Sequence, residues 1–201
     1  TARMYFHGVA KTDDELRAIA AGRVAFGVID NAEEIERLAA LAPAGTRVDV
    51  MLRINTGIEA HTHEFVRTGG ENTKFGIPER DAPEAIRRIA ALDGLRLVGL
   101  HSHVGSQIVE VEPLLANVEE LLVYAGLARK LGLPVGQLIV GGGIGVENGP
   151  GEPRPIDLDA FAAALAARVT GTPYRLMIEP GRALIARAGS LLYRVVSVKR
   201  Q

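Results

Sequence analysis

Residues 95–143 read LRLVGLHSHVGSQIVEVEPLLANVEELLVYAGLARKLGLPVGQLIVGGG and carry the pattern that decides the fold. A β-rich apolar run opens the stretch, a turn with glycine and serine follows, and a long segment with helical spacing leads to a second apolar run. Parallel strands need a long crossover connection, which is usually a helix. The stretch therefore predicts one βαβ unit.

The same alternation extends over the rest of the chain. The strand candidates are MYFHGV (4–9), VAFGVID (24–30), VDVMLRIN (48–55), LRLVGLHSHV (95–104), QLIVGGG (137–143) and YRLMIEP (174–180). The helix candidates are DDELRAIAAG (13–22), AEEIERLAALA (32–42), APEAIRRIAALDG (82–94), residues 111–132 and DLDAFAAALAARV (157–169). Regular alternation of this kind predicts an α/β fold with a parallel sheet covered by helices.

Polar or glycine residues sit at the carboxyl ends of the strand candidates: Asp30, Asn55, His103, Gly143 and Glu179. That edge hosts the chemistry of (β/α)8 barrels, so this placement favours a TIM-type barrel over a doubly wound sheet. A whole barrel takes about 250 residues and eight units. The expectation is an incomplete barrel of about six βα units over residues 1–188. The alternating run SLLYRVVSVKRQ suggests that residues 189–201 begin a C-terminal β-domain.

Composition and charge exclude several classes of protein. The 23 basic and 24 acidic residues leave a formal net charge of -1, which gives no basic field for nucleic acid. No apolar run reaches the roughly 18 residues of a membrane span, and TARMYFHGVAK lacks the layout of a secretory signal, so a cytoplasmic location is expected. With no cysteine, this sequence offers neither thiolate metal ligands nor a cysteine nucleophile.

The segment LHSHVGSQI, residues 100–108, is the first candidate site. Residues two apart on a strand share a face, so His101 and His103 are expected to project together, with Ser106 in the turn beyond them. Two imidazoles could bind zinc. Alternatively, one ring could lie against an aromatic cofactor while Ser106 binds a phosphate, or both histidines could simply be packed near a turn.

Two further segments follow later strands. In LIVGGGIGV, three glycines come directly after an apolar strand, which suits close approach of the backbone to a phosphate, although a tight turn alone would explain them. In MIEPGRALIARAG, Glu179 is followed by Pro180, Gly181 and Arg182. The Glu179 carboxylate could pair with a ring nitrogen, and the Arg182 guanidinium could bind a phosphate or carboxylate with paired donors. A local Glu–Arg ion pair is the alternative. One phosphorylated aromatic cofactor would satisfy all three segments.

Together these residues resemble a known family. HSHVGSQI, VGGGIGV and EPGRALIARAG are similar, in that order, to the cofactor-binding motifs of the fold-type III pyridoxal-phosphate decarboxylases, whose barrel is alanine-racemase-like. LRINTGIEAHTHEFVRTGGENTKFGI and FHGVAKTDDEL resemble the diaminopimelate decarboxylase branch of that superfamily. The resemblance implies decarboxylation of meso-2,6-diaminopimelate to L-lysine and carbon dioxide by a homodimer with pyridoxal 5'-phosphate, or the same chemistry on another amino acid.

The resemblance also implies roles for individual residues. His103 would stack on the cofactor ring, Glu179 would pair with the ring nitrogen, and Arg53 would lie in the polar network beneath. Ser106, Gly141, Gly142 and Gly143 would hold the phosphate. Arg182, presented by the turn at Pro180 and Gly181, would touch phosphate and substrate. His61 and His63 match the family without an assigned role.

The sequence also departs from the family. The lysines Lys11, Lys74, Lys130 and Lys199 lack the context of the family's Schiff-base lysine, and the family's catalytic cysteine has no counterpart. This sequence by itself is therefore expected to be inactive. Two other hypotheses stay open: a zinc hydrolase using His101, His103, His61 and His63, and a non-catalytic binding module that keeps the barrel.

Overall fold

The computed structural model describes residues 4–58, 74–147, 155–186, 188–190 and 192–199. The strands are β1 (Tyr5–Phe6), β2 (Phe26–Ile29), β3 (Val48–Asn55), β4 (Ile77–Pro78), β5 (Leu95–His101), β6 (Gln137–Ile139) and β7 (Arg175–Met177). The helices are α1 (Asp13–Ala20), α2 (Ala32–Leu41), α3 (Ala82–Ala90), α4 (Glu112–Lys130), α5 (Leu158–Val169) and α6 (Gly181–Ile185), with a 3-10 turn at Glu79–Asp81. All six strands and five helices expected from the sequence are confirmed.

The strands form one parallel sheet in the order β1-β2-β3-β5-β6-β7, with β4 paired to β3 off this path. The order follows the chain without a reversal. Right-handed crossovers then place every helix on the same face, whereas a doubly wound sheet reverses its order and carries helices on both faces. The predicted incomplete (β/α) barrel is therefore confirmed.

The central strand β3 shows why the sheet has two different faces. Val50, Leu52 and Ile54 are buried against the helices in the main core. Met51 points to the opposite face, where it packs with Val28 of β2 and with residues of β5, β6 and β7. Because successive side chains of a strand alternate between faces, this second cluster lies on the concave inner face of the partial barrel.

Tyr5 of β1 reaches across this interior. Its hydroxyl donates a hydrogen bond of 2.7 Å to the side-chain oxygen of Gln137 on β6, while its ring stacks on Phe26 with centroids 4.9 Å apart. β1 and β6 are far apart in the strand order, so a single side chain can join them only if the sheet curls.

A short strand lies just before α3, at a point where the sequence has no clear period. Ile77 and Pro78 make a short strand beside β3, with Ile77 opposite Ile54 and buried. Two residues cannot display a periodicity, so the pattern of the sequence could not reveal this strand. His61 and His63 lie outside the described residues.

Among the residues that the structure describes, no helix is both long enough and apolar enough to cross a bilayer. Residues 188–190 and 192–199 form no helix or strand, and Leu192, Val195 and Val198 are exposed. The β-domain expected to begin at residue 189 stays a prediction.

A buried ion pair joins the starts of two helical units. The Lys11 ammonium lies 2.9 Å from Oε2 of Glu34, and both side chains are 2% exposed. The ammonium also donates to the carbonyl of Gly8 at 2.7 Å, and the same Glu34 oxygen accepts from the Asp30 N–H at 2.9 Å. The Lys11 ammonium therefore links the segment that follows β1 to the segment that follows β2.

We expect Lys11→Met to lower the free energy of unfolding by about 3–5 kcal/mol, because it leaves the Glu34 carboxylate buried without its counter-charge. Adding Glu34→Leu should restore most of that loss. Arg17→Ala is the control, since it removes an exposed pair with Asp14 and should cost less than about 1 kcal/mol. Urea unfolding of the four proteins measures this, and equal losses for Lys11→Met and Arg17→Ala would contradict it.

Candidate functional site

Polar side chains from separate strands meet at the carboxyl edge of the sheet. His7 follows β1, Asp30 follows β2, His101 ends β5 and Glu179 follows β7, while Arg53 lies near the end of β3. Each enters from a different strand, as expected for a barrel whose chemistry is built from its strand ends.

Glu179 is held between two histidines. Its Oε1 lies 3.3 Å from Nε2 of His7, and its Oε2 lies 3.1 Å from Nε2 of His101. The two imidazole rings meet edge to face, with centroids 4.9 Å apart. The His101 side chain is 3% exposed, whereas the Glu179 side chain is 42% exposed. The Glu179 carboxylate therefore lies between the buried His101 ring and the solvent at the carboxyl edge of the sheet.

The charge states of this cluster follow from burial and hydrogen bonding. Burial lowers the pKa of His101 to about 4, although the hydrogen bond and the charge of Glu179 act to raise it. Hydrogen bonds from His101, and then from His7, hold the pKa of Glu179 far below its ordinary 4.5. At neutral pH the cluster is a carboxylate beside a neutral His101, which must carry its hydrogen on Nε2 to donate to Glu179.

Arg53 brings a positive charge beneath this cluster. Its guanidinium lies 3.5 Å from the Asp30 carboxylate and 4.8 Å from the centroid of the Phe75 ring, and its side chain is 13% exposed. Burial lowers the pKa of Arg53, while Asp30 and Glu179 raise it. The guanidinium stays charged, because its ordinary pKa is far above neutrality. Arg53 thus lies in a polar network with Asp30, and its predicted place beneath a cofactor stays a prediction.

The glycine turn after β6 packs directly against the turns after β5 and β7. The Gly142 N–H donates to Nδ1 of His103 at 3.2 Å, so His103 carries its hydrogen on Nε2 when neutral. A Cβ at Gly142 would overlap the carbonyl of Glu179. Only glycine permits this approach, which brings Glu179, His103 and the glycine turn into contact.

Hydrogen bonds join the loops after β5 and β6. The Ile108 N–H donates to the Gly143 carbonyl, and the Gly145 N–H donates to the Ile108 carbonyl, both at 2.8 Å. The Gln107 side chain adds two bonds to the backbone of Val146, one in each direction, both at 3.0 Å. Gln107 adopts φ 58°, which is uncommon for a residue other than glycine. Ser106 is half-buried within this joined pair of loops.

The two histidines of LHSHV contact different partners. β5 ends at His101, so the strand alternation that predicts a shared face stops there. His101 turns to Glu179, whereas His103 turns to Gly142. These contacts therefore do not pair His101 with His103 as the zinc hypothesis from the sequence requires. The other two histidines of that hypothesis, His61 and His63, lie outside the described residues.

The other predicted residues fall at the same edge. Gly141 lies beside His103, and Gly143 approaches the carbonyl of Gly105 so closely that a Cβ would overlap it. Pro180 precedes α6, and the Gly181 N–H donates to the Glu179 carbonyl at 2.8 Å. Arg182 is exposed on α6, and in the described part of the chain the ion-pair partners of Glu179 are His7 and His101 rather than Arg182.

Sequence reasoning missed His7. Its signal is its position one residue beyond β1, which is the same strand-end rule that identifies Glu179. Within the described residues, His7, His101 and Glu179 also have donor atoms within 4.8 Å of one another, a spacing that a small cation could bridge.

Stability should decrease as the pH falls from about 6.5 toward 4. In that window an unfolded chain protonates a histidine with the ordinary pKa of 6.5, while folded His101 resists protonation down to about 4. The free energy of unfolding then drops by at most about 1.4 kcal/mol per pH unit for this proton. Urea unfolding at several pH values should show a shallower dependence for His101→Gln, which cannot titrate; identical slopes would refute this assignment.

Comparison with known proteins shows the family of the chain. Residues 1–186 match the model of the pyridoxal-dependent decarboxylase family, pyridoxal binding domain. The chain is 38% identical to diaminopimelate decarboxylase of Zymomonas mobilis and 42% identical to that of Actinosynnema pretiosum, over 98% of this chain in both cases. These matches cover 47% and 46% of the two relatives, so the chain spans about half their length.

A solved structure agrees with these matches. The crystal structure of diaminopimelate decarboxylase from Helicobacter pylori complexed with L-lysine superposes with a TM-score of 0.81 and 30% identity, covering 92% of this chain and 47% of that one. The partial barrel and the match over residues 1–186 agree with each other. The chain belongs to the pyridoxal-dependent decarboxylase family, whose pyridoxal binding domain it matches over residues 1–186.

Proposed function

We propose that the protein carrying this chain decarboxylates meso-2,6-diaminopimelate to L-lysine and carbon dioxide with pyridoxal 5'-phosphate. The observation that supports this most directly is Glu179, a carboxylate fixed by two histidines at the open edge of the sheet. Its relatives named diaminopimelate decarboxylase provide the choice of substrate.

The residues present fit the cofactor. A phosphorylated pyridine needs a carboxylate for its ring nitrogen, a flat partner for its ring and backbone N–H groups for its phosphate. Glu179, His103 and the close-packed turn at Gly141–Gly143 lie within one contact cluster, in which the Gly142 N–H is already bonded to His103. In our proposal Ser106 and Arg182 add phosphate contacts, and Arg182 also touches the substrate.

When bound, pyridoxal phosphate supplies a ring that accepts the electron pair left by the departing carboxyl group. Glu179 serves that chemistry by remaining an anion. Because hydrogen bonds depress its pKa, Glu179 would leave the proton on the ring nitrogen of a bound cofactor and would accept a hydrogen bond from that nitrogen. The Arg53–Asp30 pair lies beneath and holds the ends of β2 and β3 together.

The Schiff-base lysine belongs elsewhere in our proposal. Lys11 is occupied by Glu34 and the Gly8 carbonyl, and Lys130 ends α4 on the exposed surface. We propose that this lysine and a catalytic cysteine are contributed by parts of the protein beyond this sequence. A homodimer and a cytoplasmic location complete the proposal, and both are supported by the family resemblance.

The full-length protein should release carbon dioxide from meso-diaminopimelate and form lysine. Glu179→Gln should reduce this rate by about a hundredfold or more, because a neutral amide cannot stabilise a protonated ring nitrogen. Glu119→Gln is the control, since it removes a carboxylate paired with Arg168 on the outer surface. Carbon dioxide from a different amino acid would point to a sister decarboxylase, and none from any amino acid would refute the proposal.

The glycine turn allows a test of the cofactor site without turnover. Gly142→Ala should weaken binding of pyridoxal phosphate by about tenfold or more, because the added methyl group forces apart the turn and the Glu179 carbonyl. Gly126→Ala on α4 is the matched control: nothing lies within 4 Å of its new methyl group, and it should gain up to about 1 kcal/mol of stability. Absorbance titration measures the affinity, and equal affinities for the two variants would contradict the assignment.

A further inference from the structure

The two oxygens of Glu179 are not equivalent, because each is bound by a different strand. His7 from the end of β1 approaches Oε1, and His101 from the end of β5 approaches Oε2. A single hydrogen bond would leave the carboxylate free to rotate about it. The hydrogen bond of His101 on one oxygen and the 3.3 Å contact of His7 on the other fix the plane of the group.

We propose that His7 and His101 are positioning residues that fix the plane of the Glu179 carboxylate and leave its remaining lone pairs directed to the mouth of the barrel. This inference rests on the proposed function and adds two residues that do not themselves touch substrate or cofactor. A carboxylate has about four lone-pair sites. The two imidazoles use two of them, which leaves acceptor capacity for a ring nitrogen.

The burial of His101 costs free energy, and the positioning role explains why that cost is tolerated. Its ring is buried, and Nδ1 has no hydrogen-bond partner among the described residues. Its one side-chain hydrogen bond there is the one to Glu179. A buried polar atom without a partner is rare in native proteins and calls for a specific reason. Here a buried, neutral ring provides a rigid donor for a half-exposed carboxylate.

His7 is held in place by the backbone that follows it. Gly8 adopts φ 135°, and its carbonyl accepts the 2.7 Å hydrogen bond from Lys11. Lys11 is in turn fixed by Glu34. The buried ion pair therefore anchors the turn that presents His7 to Glu179.

Other charged groups around Glu179 act at longer range. Arg53 on β3, paired with Asp30, and His103 after β5 interact with it electrostatically, whereas the direct side-chain contacts of its carboxylate are with His7 and His101. Removing either imidazole should therefore loosen Glu179 without removing its surrounding charge.

The test compares phenylalanine and glutamine at both positions in the full-length protein. Phenylalanine keeps a planar ring but cannot donate, while the side-chain nitrogen of glutamine can replace Nε2 as a neutral donor. We expect His7→Phe and His101→Phe each to weaken binding of pyridoxal phosphate by about tenfold, with a shifted absorbance band of the bound cofactor. His7→Gln and His101→Gln should stay within about threefold of the unsubstituted protein.

Tyr124→Phe is the control, because it removes a hydroxyl bond of α4 to the Glu79 carbonyl outside the site and should leave affinity and spectrum unchanged. Thermal unfolding of every variant checks that it is folded. If His101→Phe does not fold, His7→Ala takes its place, since the His7 side chain is 33% exposed.

The outcomes separate the two proposals. Uptake of cofactor by the unsubstituted protein together with unchanged Phe variants overturns the positioning role alone. Equal damage from Gln and Phe also overturns it, because the donor would then not be what matters. A stoichiometric divalent metal that is lost from all four histidine variants would make the cluster a metal site instead. If the unsubstituted protein takes up no pyridoxal phosphate, the proposed function fails and the inference falls with it.

Discussion

Every strand of a parallel sheet ends at the same edge, and the rest of this structure depends on that constraint. Helical crossovers return the chain to the opposite edge after each strand, so residues far apart in sequence reach one line of strand ends. His7 and Glu179 are separated by most of the chain and lie 3.3 Å apart for this reason. The curl of the sheet, shown by the Tyr5–Gln137 hydrogen bond, brings the first and last strands to the same site.

The polar side chains at this edge of the sheet differ in burial and in charge. His101 and Arg53 are largely enclosed, whereas Glu179 is half-exposed. A buried imidazole is kept neutral by the cost of desolvation, and it can still donate a hydrogen bond. The carboxylate therefore gains a rigid, neutral partner in His101, and the positive charge of Arg53 stays paired with Asp30.

Sequence patterns predicted the repeating units well, because strand and helix periodicities extend over many residues. They also located Glu179, His103 and the glycine turn, since glycine and charge are conspicuous after apolar strands. Contacts between distant residues left weaker signals. His7 lies within the stretch FHGVAKTDDEL, but that stretch does not reveal its contact with Glu179. Gln107 is an ordinary polar residue in the sequence, and only the structure shows its side chain bonded to the backbone of Val146. The pairing of Lys11 with Glu34 depends on how two helices are placed, which no local pattern encodes.

The loops after β5 and β6 are joined by four hydrogen bonds. Two run between backbone groups, and two join the Gln107 side chain to the backbone of Val146. An insertion or deletion in either loop would break the register of all four bonds at once. We therefore expect relatives to change the lengths of these two loops in concert or leave both untouched. Engineering a new ligand preference at this edge would accordingly require redesigning the two loops as one unit.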